Sequence, residues 1–410
     1  MQNILYVLHS GVTGGTFLTN KDLMNHVEKE YNVFLLTAEF KTFRLFVYSN
    51  GELKLLKEYQ RNINVNVPIT YENKWSAKEF HNSWLTYIYF EVLDKYNIDI
   101  VHIRHLINHS FDLPFIAKKL EIPVFLSIHD FYFICPFYVL LDENYDYCEG
   151  NCKNNEKNCY CPLNSLNDIN SKKFITEWRK NVLDMFSNVD YFITTSDIVK
   201  NIFLSIYTDE TIINDDNFKV IEHGRDFPKF KNKCYEIPNF DNPIKILCLA
   251  NHLNIMKGSH IIKSIKQEDI SNLLEFHFLG NCHDGIEKYG IDHGKFERDK
   301  FHEKVEEIKP SFVGIFSIWP ETYCHTLTEA WSCGIPVIGT NIGVVQDRIL
   351  KNDGGWIIDR NDPKKAYESI IDIANNKNDY LNHINLIKKF KFKDTYSMAY
   401  EYMRLYKLFK

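Results

Sequence analysis

No run in this 410-residue chain is long and apolar enough to span a bilayer; the most apolar stretch, Phe125 to Leu141, is interrupted by His129 and Asp130. Charge of one sign is also lacking. With 48 Lys and Arg against 54 Asp and Glu the net charge is −6, which removes the bulk electrostatic argument for nucleic acid. Met1-Gln2-Asn3 leads straight into a strand-like run without a basic region, so no secretion signal is expected. Ten cysteines without such a signal point to free thiols in a reducing cytoplasm. Internal repeats and low-complexity tracts are absent. What is present is ordinary for a globular protein, 45% hydrophobic and 25% charged, in a chain long enough for two separate cores.

Short apolar runs alternate with helical stretches, and they do so in two series. Ile4–Leu8, Val33–Thr37, Val101–His105, Pro123–Ile128, Tyr191–Thr195 and Lys219–Ile221 read as buried strands of a first half. Ile244–Ala250, Glu275–Leu279, Val313–Ile318, Pro336–Gly339 and Trp356–Ile358 form the second series. Such alternation predicts an α/β protein with parallel sheets covered on both faces. The expected domains are residues 1–230 and 240–390, because His223 to Pro243 is polar and carries three prolines. Between the strands, Ser76–Tyr96 carries Phe80, Trp84, Ile88 and Val92 at i, i+4 spacing, a core-facing helix or, alternatively, a face for a membrane surface.

The segment from Ser317 to Gly343 is the most informative. Glu321 lies in a Pro-containing loop after an apolar strand, and Glu329 in a short helix ended by Gly334-Ile335-Pro336, before the strand that starts at Val337. A strand–loop–helix unit aims backbone N–H groups at the mouth of a parallel sheet, where anions collect. Two acceptors flanking that helix start suit a ligand with a phosphate in the middle and hydroxyls at both ends. Were all the intervening steps helical, the carboxylates would stand about 12 Å apart. A sugar nucleotide fits this description.

The Glu-x7-Glu pair, the Pro-Glu-Thr lead, the Gly-Ile-Pro-Val exit, Gly343 and Gly354-Gly355-Trp356 together resemble the donor site of the family-four (group 1) retaining glycosyltransferases of bacterial polysaccharide type. The resemblance implies a GT-B fold, two Rossmann-like domains with parallel sheets facing across a cleft. It implies a nucleoside diphosphate sugar as donor, with Glu321 on the sugar hydroxyls and Glu329 on the ribose. Backbone amides of Cys324, His325 and Thr326 would face the sugar and phosphates. Asn251-His252-Leu253-Asn254-Ile255-Met256-Lys257-Gly258 follows the first strand of the second half. The family binds the diphosphate there with an Arg and a Lys; Lys257 matches the Lys, whereas His252 stands in place of the Arg. Gly258 lets the next helix start close to the ligand. Gly15, after the first strand, is implied as a donor-phosphate contact, and His129 as a contact to the donor sugar near the reacting carbon. Glu222-His223-Gly224-Arg225-Asp226 is similar to the family's hinge turn. A final helix at 394–410 would pack back on the amino-terminal, acceptor-side domain.

Cys148, Cys152, Cys159 and Cys161 fall within fourteen residues, with Cys135 upstream. Four thiolates can hold structural zinc tetrahedrally, but the spacing fits equally with free or redox-active thiols, or with a disulfide. The expected activity is transfer of a hexosyl unit, with retention and without a required metal or cofactor, to a glycan or lipid-linked acceptor in cell-surface polysaccharide biosynthesis. Peripheral contact with the inner face of a membrane is compatible with that acceptor. Two other readings stay open: a nucleotide-sugar epimerase on the same scaffold, and a noncatalytic partner protein with a zinc-stabilised loop.

Overall fold

The computed structural model describes residues 1–9, 15–39, 42–61, 80–142, 144–150, 171–228 and 234–409. They form two compact units: residues 1–144, 148–226 and 393–410, and residues 145–147 with 227–392. Each has its own sheet.

The first unit runs β1 (Asn3–Leu8), α1 (Gly15–Val27), β2 (Asn32–Ala38), β3 (Thr42–Ser49), β4 (Glu52–Gln60), α2 (Ser83–Lys95), β5 (Ile100–Ile103), α3 (Asp112–Lys119), β6 (Val124–Ser127), α4 (Ser171–Phe186), β7 (Tyr191–Thr194), α5 (Asp197–Ile206) and β8 (Phe218–Val220). Its strand order is β4-β3-β2-β1-β5-β6-β7-β8. The order reverses between β1 and β5, and in open α/β sheets ligands bind outside the carboxyl ends of the strands at such a point. The pairing is parallel from β2 through β8. Beyond the parallel strands expected from the sequence, β3 and β4 add an antiparallel hairpin at one edge. Asn50-Gly51 makes its two-residue turn, both at positive φ, between the paired Ser49 and Glu52. A two-residue turn with positive φ at both positions matches the right-handed twist of its strands.

Helix α2 is shorter than the apolar spacing predicts. Asn82 caps it by accepting from Leu85 N at 3.0 Å, and Leu85, Ile88, Tyr89, Val92 and Leu93 are buried. Trp84 packs edge-on against Phe43, so this face turns to the core.

The second unit holds β9 (Ile244–Leu253), α6 (Ser259–Glu268), β10 (Leu274–Cys282), β11 (Gly290–Asp292), α7 (Phe301–Ile308), β12 (Phe312–Ile315), α8 (His325–Ser332), β13 (Val337–Thr340), α9 (Gly343–Asn352), β14 (Gly355–Ile358), α10 (Pro363–Asn375) and α11 (Lys377–Ile387). Its six strands are all parallel, in the order β11-β10-β9-β12-β13-β14, and the order reverses between β9 and β12.

Helix α12 (Thr395–Tyr406) returns to the first unit. Met398, Ala399, Tyr402, Met403 and Tyr406 join a core built from β1, α1, β2 and β5. The Glu222–Asp226 turn receives it. A Cβ on Gly224 would come 2.1 Å from Asp394 O, so only glycine lets the two backbones approach. Asp226 accepts from Thr395 Oγ1 at 2.5 Å, and Arg225 N donates to Lys393 O at 2.9 Å. The turn expected to act as a hinge therefore docks the returning helix.

Candidate functional site

In the second unit β9 and β12 register over only two pairs, Phe312 with Ile246 and Val313 with Leu247, and then separate. The opening is a small pocket at the reversal point, lined in part by Leu249, Lys257, Ser317, Glu321, Cys324 and Thr326. Four of the sequence-predicted residues meet there. Lys257 Nζ lies 2.7 Å from Glu321 Oε1, and the Ser317 hydroxyl donates to the same oxygen. The Glu321 side chain is 6% exposed and that of Lys257 32%. Burial alone would raise the Glu321 carboxyl, but Lys257, Ser317 and Cys324 together hold it below the usual carboxylate range. Burial likewise works against the Lys257 ammonium, and Glu321 outweighs it, leaving the amine above its ordinary value. Both groups stay charged. Burial and the neighbouring carboxylate push the Cys324 thiol up, so it remains a neutral donor.

The loop that carries Glu321 is held from several sides. Glu321 and Cys324 both adopt positive φ, 48° and 62°, unusual for residues with a Cβ. Arg348 on α9 fixes the turn by donating to Tyr323 O at 2.7 Å and Cys324 O at 3.1 Å, with its guanidinium 4.1 Å over the Tyr323 ring. Thr340 Oγ1 donates to Ser317 O at 2.6 Å, and Arg360 Nη1 to Ile318 O at 2.9 Å. Gly343, at φ +51°, lies so close to Pro320 that a Cβ would stand 2.2 Å from its carbonyl oxygen. Arg348 and Arg360 were not among the residues expected from the sequence. Nothing in their spacing marks them, since each acts on carbonyls far away in the chain.

Helix α8 begins immediately after Cys324, and its opening turn carries His325 and Thr326. Thr326 Oγ1 donates to Leu249 O at 3.3 Å, which pins the helix start to the end of β9. The first N–H groups of a helix have no intrahelical acceptor and carry partial positive charge. Glu329 is buried one turn further along, so only the second half of the Glu-x7-Glu spacing is helical and the 12 Å helical estimate does not apply. Gly334 ends the helix at φ +76°, with Ile335 N donating to Ala330 O at 3.1 Å.

A short 3₁₀ turn, Ile255–Lys257, joins β9 to α6. Gly258 stands at φ +79° with its Cβ position 2.1 Å from Phe316 O, so no larger residue fits. His252, five residues before Lys257, pairs instead with His283, Nδ1 to Nε2 at 2.9 Å.

In the first unit Gly15 opens α1 at the reversal point; a Cβ there would meet nothing within 4 Å. His129 follows β6 and stacks on His223, ring centroids 5.6 Å apart and nearly parallel. Burial, then Arg104 and His223, drive its imidazole well below the ordinary value, so the ring is neutral and suited to hydrogen bonding. Asp130 is engaged with His105 Nε2 at 2.9 Å and Tyr132 N at 2.9 Å. Arg104, fully buried, donates to Ser127 Oγ at 2.9 Å and lies 5.3 Å from the Tyr402 ring. It has no carboxylate partner among the described residues.

Cys148 is partly buried and Cys135 buried; Cys152, Cys159 and Cys161 lie outside the described residues. No group of three or more His, Cys, Asp or Glu side chains among the described residues could hold a metal ion. No helix among them is long and apolar enough to cross a membrane.

Residues 282–390 match the family model of glycosyl transferases group 1. The match covers much of the second unit, and the fold of the chain is GT-B. Among solved structures, the chain is similar to sucrose-phosphate synthase from Thermosynechococcus elongatus, with TM-score 0.64 at 12% identity over 100% of this chain and 99% of that one. A glycosyltransferase from Rickettsia africae gives 0.61 at 16% identity, covering 100% and 98%. HepE from Anabaena, solved with UDP, gives 0.60 at 12% identity over the whole of both chains, and is also known with UDP-glucose. No curated protein matches the sequence. At these identities the structural likeness carries the fold, two Rossmann-like domains, and the site rests on this chain's own geometry.

Proposed function

We propose that this glycosyltransferase moves a hexosyl unit from a nucleoside diphosphate sugar to a hydroxyl of a glycan or lipid-linked acceptor, with retention of anomeric configuration. The observation that carries this reading is the Lys257–Glu321 pair at the point where the second sheet reverses strand order, beside the start of α8. A donor there meets two kinds of group. Lys257 and the α8 amides, Cys324 to Thr326, offset the negative charge that builds on the departing phosphate. Glu321, kept ionised, accepts from sugar hydroxyls, and Glu329 from the ribose.

Loss of the diphosphate leaves an oxocarbenium-like sugar. The acceptor hydroxyl attacks from the same face, passing its proton to the leaving phosphate, so none of these residues need form a bond to the sugar. The reaction as written uses no metal. An acceptor in cell-surface polysaccharide synthesis, and with it peripheral membrane contact, fits the same reading.

Melting curves with UDP-, ADP-, GDP- and dTDP-sugars test it first, since a ligand that binds only the folded state raises the melting point. UDP-glucose is the first choice because HepE has been solved with it. Proton NMR of the product then reads the anomeric configuration. Inversion would overturn the mechanism; conversion of the sugar nucleotide without an acceptor would overturn transfer in favour of epimerisation.

A further inference from the structure

Strands β9 and β10 run on past the rest of their sheet, to Leu253 and Cys282, whereas β12 ends at Ile315. The register shifts by one residue between Leu279 and Asn281, which sets Asn281 opposite His252, and His283 N donates to Leu253 O at 2.9 Å. The projection sets two exposed imidazoles against each other, His252 Nδ1 to His283 Nε2 at 2.9 Å with ring centroids 5.2 Å apart. Neither ring has another hydrogen-bond partner among the described residues. A second pair on the same sheet shows what a closed arrangement looks like. His277 and His293 also meet at 2.9 Å, but His277 is buried and its other nitrogen is taken by Glu275 at 2.8 Å. Nothing closes His252 and His283.

The protons can be counted. Two neutral imidazoles carry two N–H groups on four nitrogens. One N–H lies between the rings, which leaves a single outward donor. Adding one proton gives three: one shared, and one outward on each of His252 Nε2 and His283 Nδ1. A singly charged pair therefore offers two donors and one positive charge, the provision by which an arginine fork grips a phosphate.

We propose that His252 and His283 act together as one two-pronged cation for a phosphate of the donor, beside Lys257. This rests on the donor-binding reading above and adds His283 to it. The other charged groups nearby are already engaged. Lys257 holds Glu321, Asp284 accepts from Ser259 Oγ at 2.8 Å and lies near His260, and Lys263 Nζ donates to the Asp284 carbonyl oxygen. The proton that balances the bound phosphate therefore enters the histidine pair.

The test is calorimetry with UDP, ADP, GDP and dTDP at about pH 7.5, in two buffers of different ionisation heat. Wild type, His252→Ala, His283→Ala, the double alanine variant and His252→Arg combined with His283→Ala are compared. The wild type should take up a proton on binding. Either single alanine variant should lose that uptake and bind about tenfold more weakly, as loss of one charge-assisted contact implies. The double variant should be no worse than the singles, because the pair works as a unit. The arginine variant should recover affinity without proton uptake. Both side chains are exposed, so melting points should not move. If a diphosphate binds and His283→Ala changes neither affinity nor uptake, the pair is overturned while the donor reading stands. If none of the four binds to the wild type, both fall.

Discussion

The carboxyl edges of the two sheets are built on opposite electrostatic plans. In the second unit a buried carboxylate meets an ammonium at 2.7 Å and the loop between them is clamped by Arg348, Arg360 and two glycines in close backbone contact. In the first unit the same edge gathers Arg104, His102, His105, His129 and His223, and Asp130 is hydrogen-bonded to His105. Much of that cluster is spent inward. Tyr6, Tyr406, His102, Ser127 and Arg104 form one buried chain of hydrogen bonds that ends under α12. A matched, rigid pair is what a site needs when it must hold charge without a ligand. A buried arginine–histidine cluster bonded to a returning helix acts first as a lock on the fold.

The comparison can be broken at its strongest point by Glu321→Gln. If the paired carboxylate serves the transition state, kcat should fall by roughly a hundred- to a thousandfold, the scale for removing a preorganised polar contact at the reacting centre. Glu329→Gln should mainly weaken donor affinity, by about tenfold. Steady-state kinetics separates the two, and equal small losses in both variants would remove the donor-site assignment.

Alanine at Gly258 and at Gly15 sharpens the contrast between the edges. Gly258→Ala forces a Cβ into Phe316 O at positive φ and should cost at least about 2 kcal/mol of stability in urea unfolding. Gly15→Ala meets nothing within 4 Å and should leave stability within about 0.5 kcal/mol, with any loss confined to donor affinity.

Tyr406→Phe cuts the hydrogen-bonded chain between Tyr6 and His102, and should destabilise the protein by about 1–3 kcal/mol. Nucleotide affinity should not change. If it does, the lock and the site are not separate.

Acid titration gives the smallest effect. The Glu321 pKa is lowered in the folded state, so its contribution to stability is complete above the unfolded value of about 4.3 and is lost as pH falls through the folded one. Lys257, whose pKa is raised, contributes below its unfolded value and loses that contribution only in strong alkali. Wild type should therefore lose more stability than Glu321→Gln between pH 5 and 3, by about 1 kcal/mol or less. Parallel melting-point curves over that range would show that the pair does not stabilise the fold.

The βα alternation is legible in the sequence because buried parallel strands appear as unbroken apolar runs. The β3–β4 hairpin was also written there, in Asn50-Gly51, but β3 mixes half-buried with buried residues and β4 is mostly exposed, so the pair does not show the fully buried pattern of the parallel strands. At the site, Lys257, Gly258, Glu321 and Glu329 stand out by spacing and turn chemistry. Their mutual geometry does not, since Lys257 and Glu321 are 64 residues apart and meet only because β9 and β12 are neighbours. His283 carries no local signal at all. It becomes visible only when the extension of β10 sets it against His252.

The docking of α12 also sets an order of events during synthesis. The core of the first unit is formed from residues 1–226 together with a helix that leaves the ribosome only after the whole second unit. Until then the groove lined by Tyr6, Leu23, Met24 and Phe125 stays open and His102 lacks its tyrosine partner. The second unit can mature first, and the first unit is finished last although its strands are made earliest. A nascent chain halted before residue 393 would therefore present an apolar groove to chaperones, and the arrival of α12 would be the event that releases it.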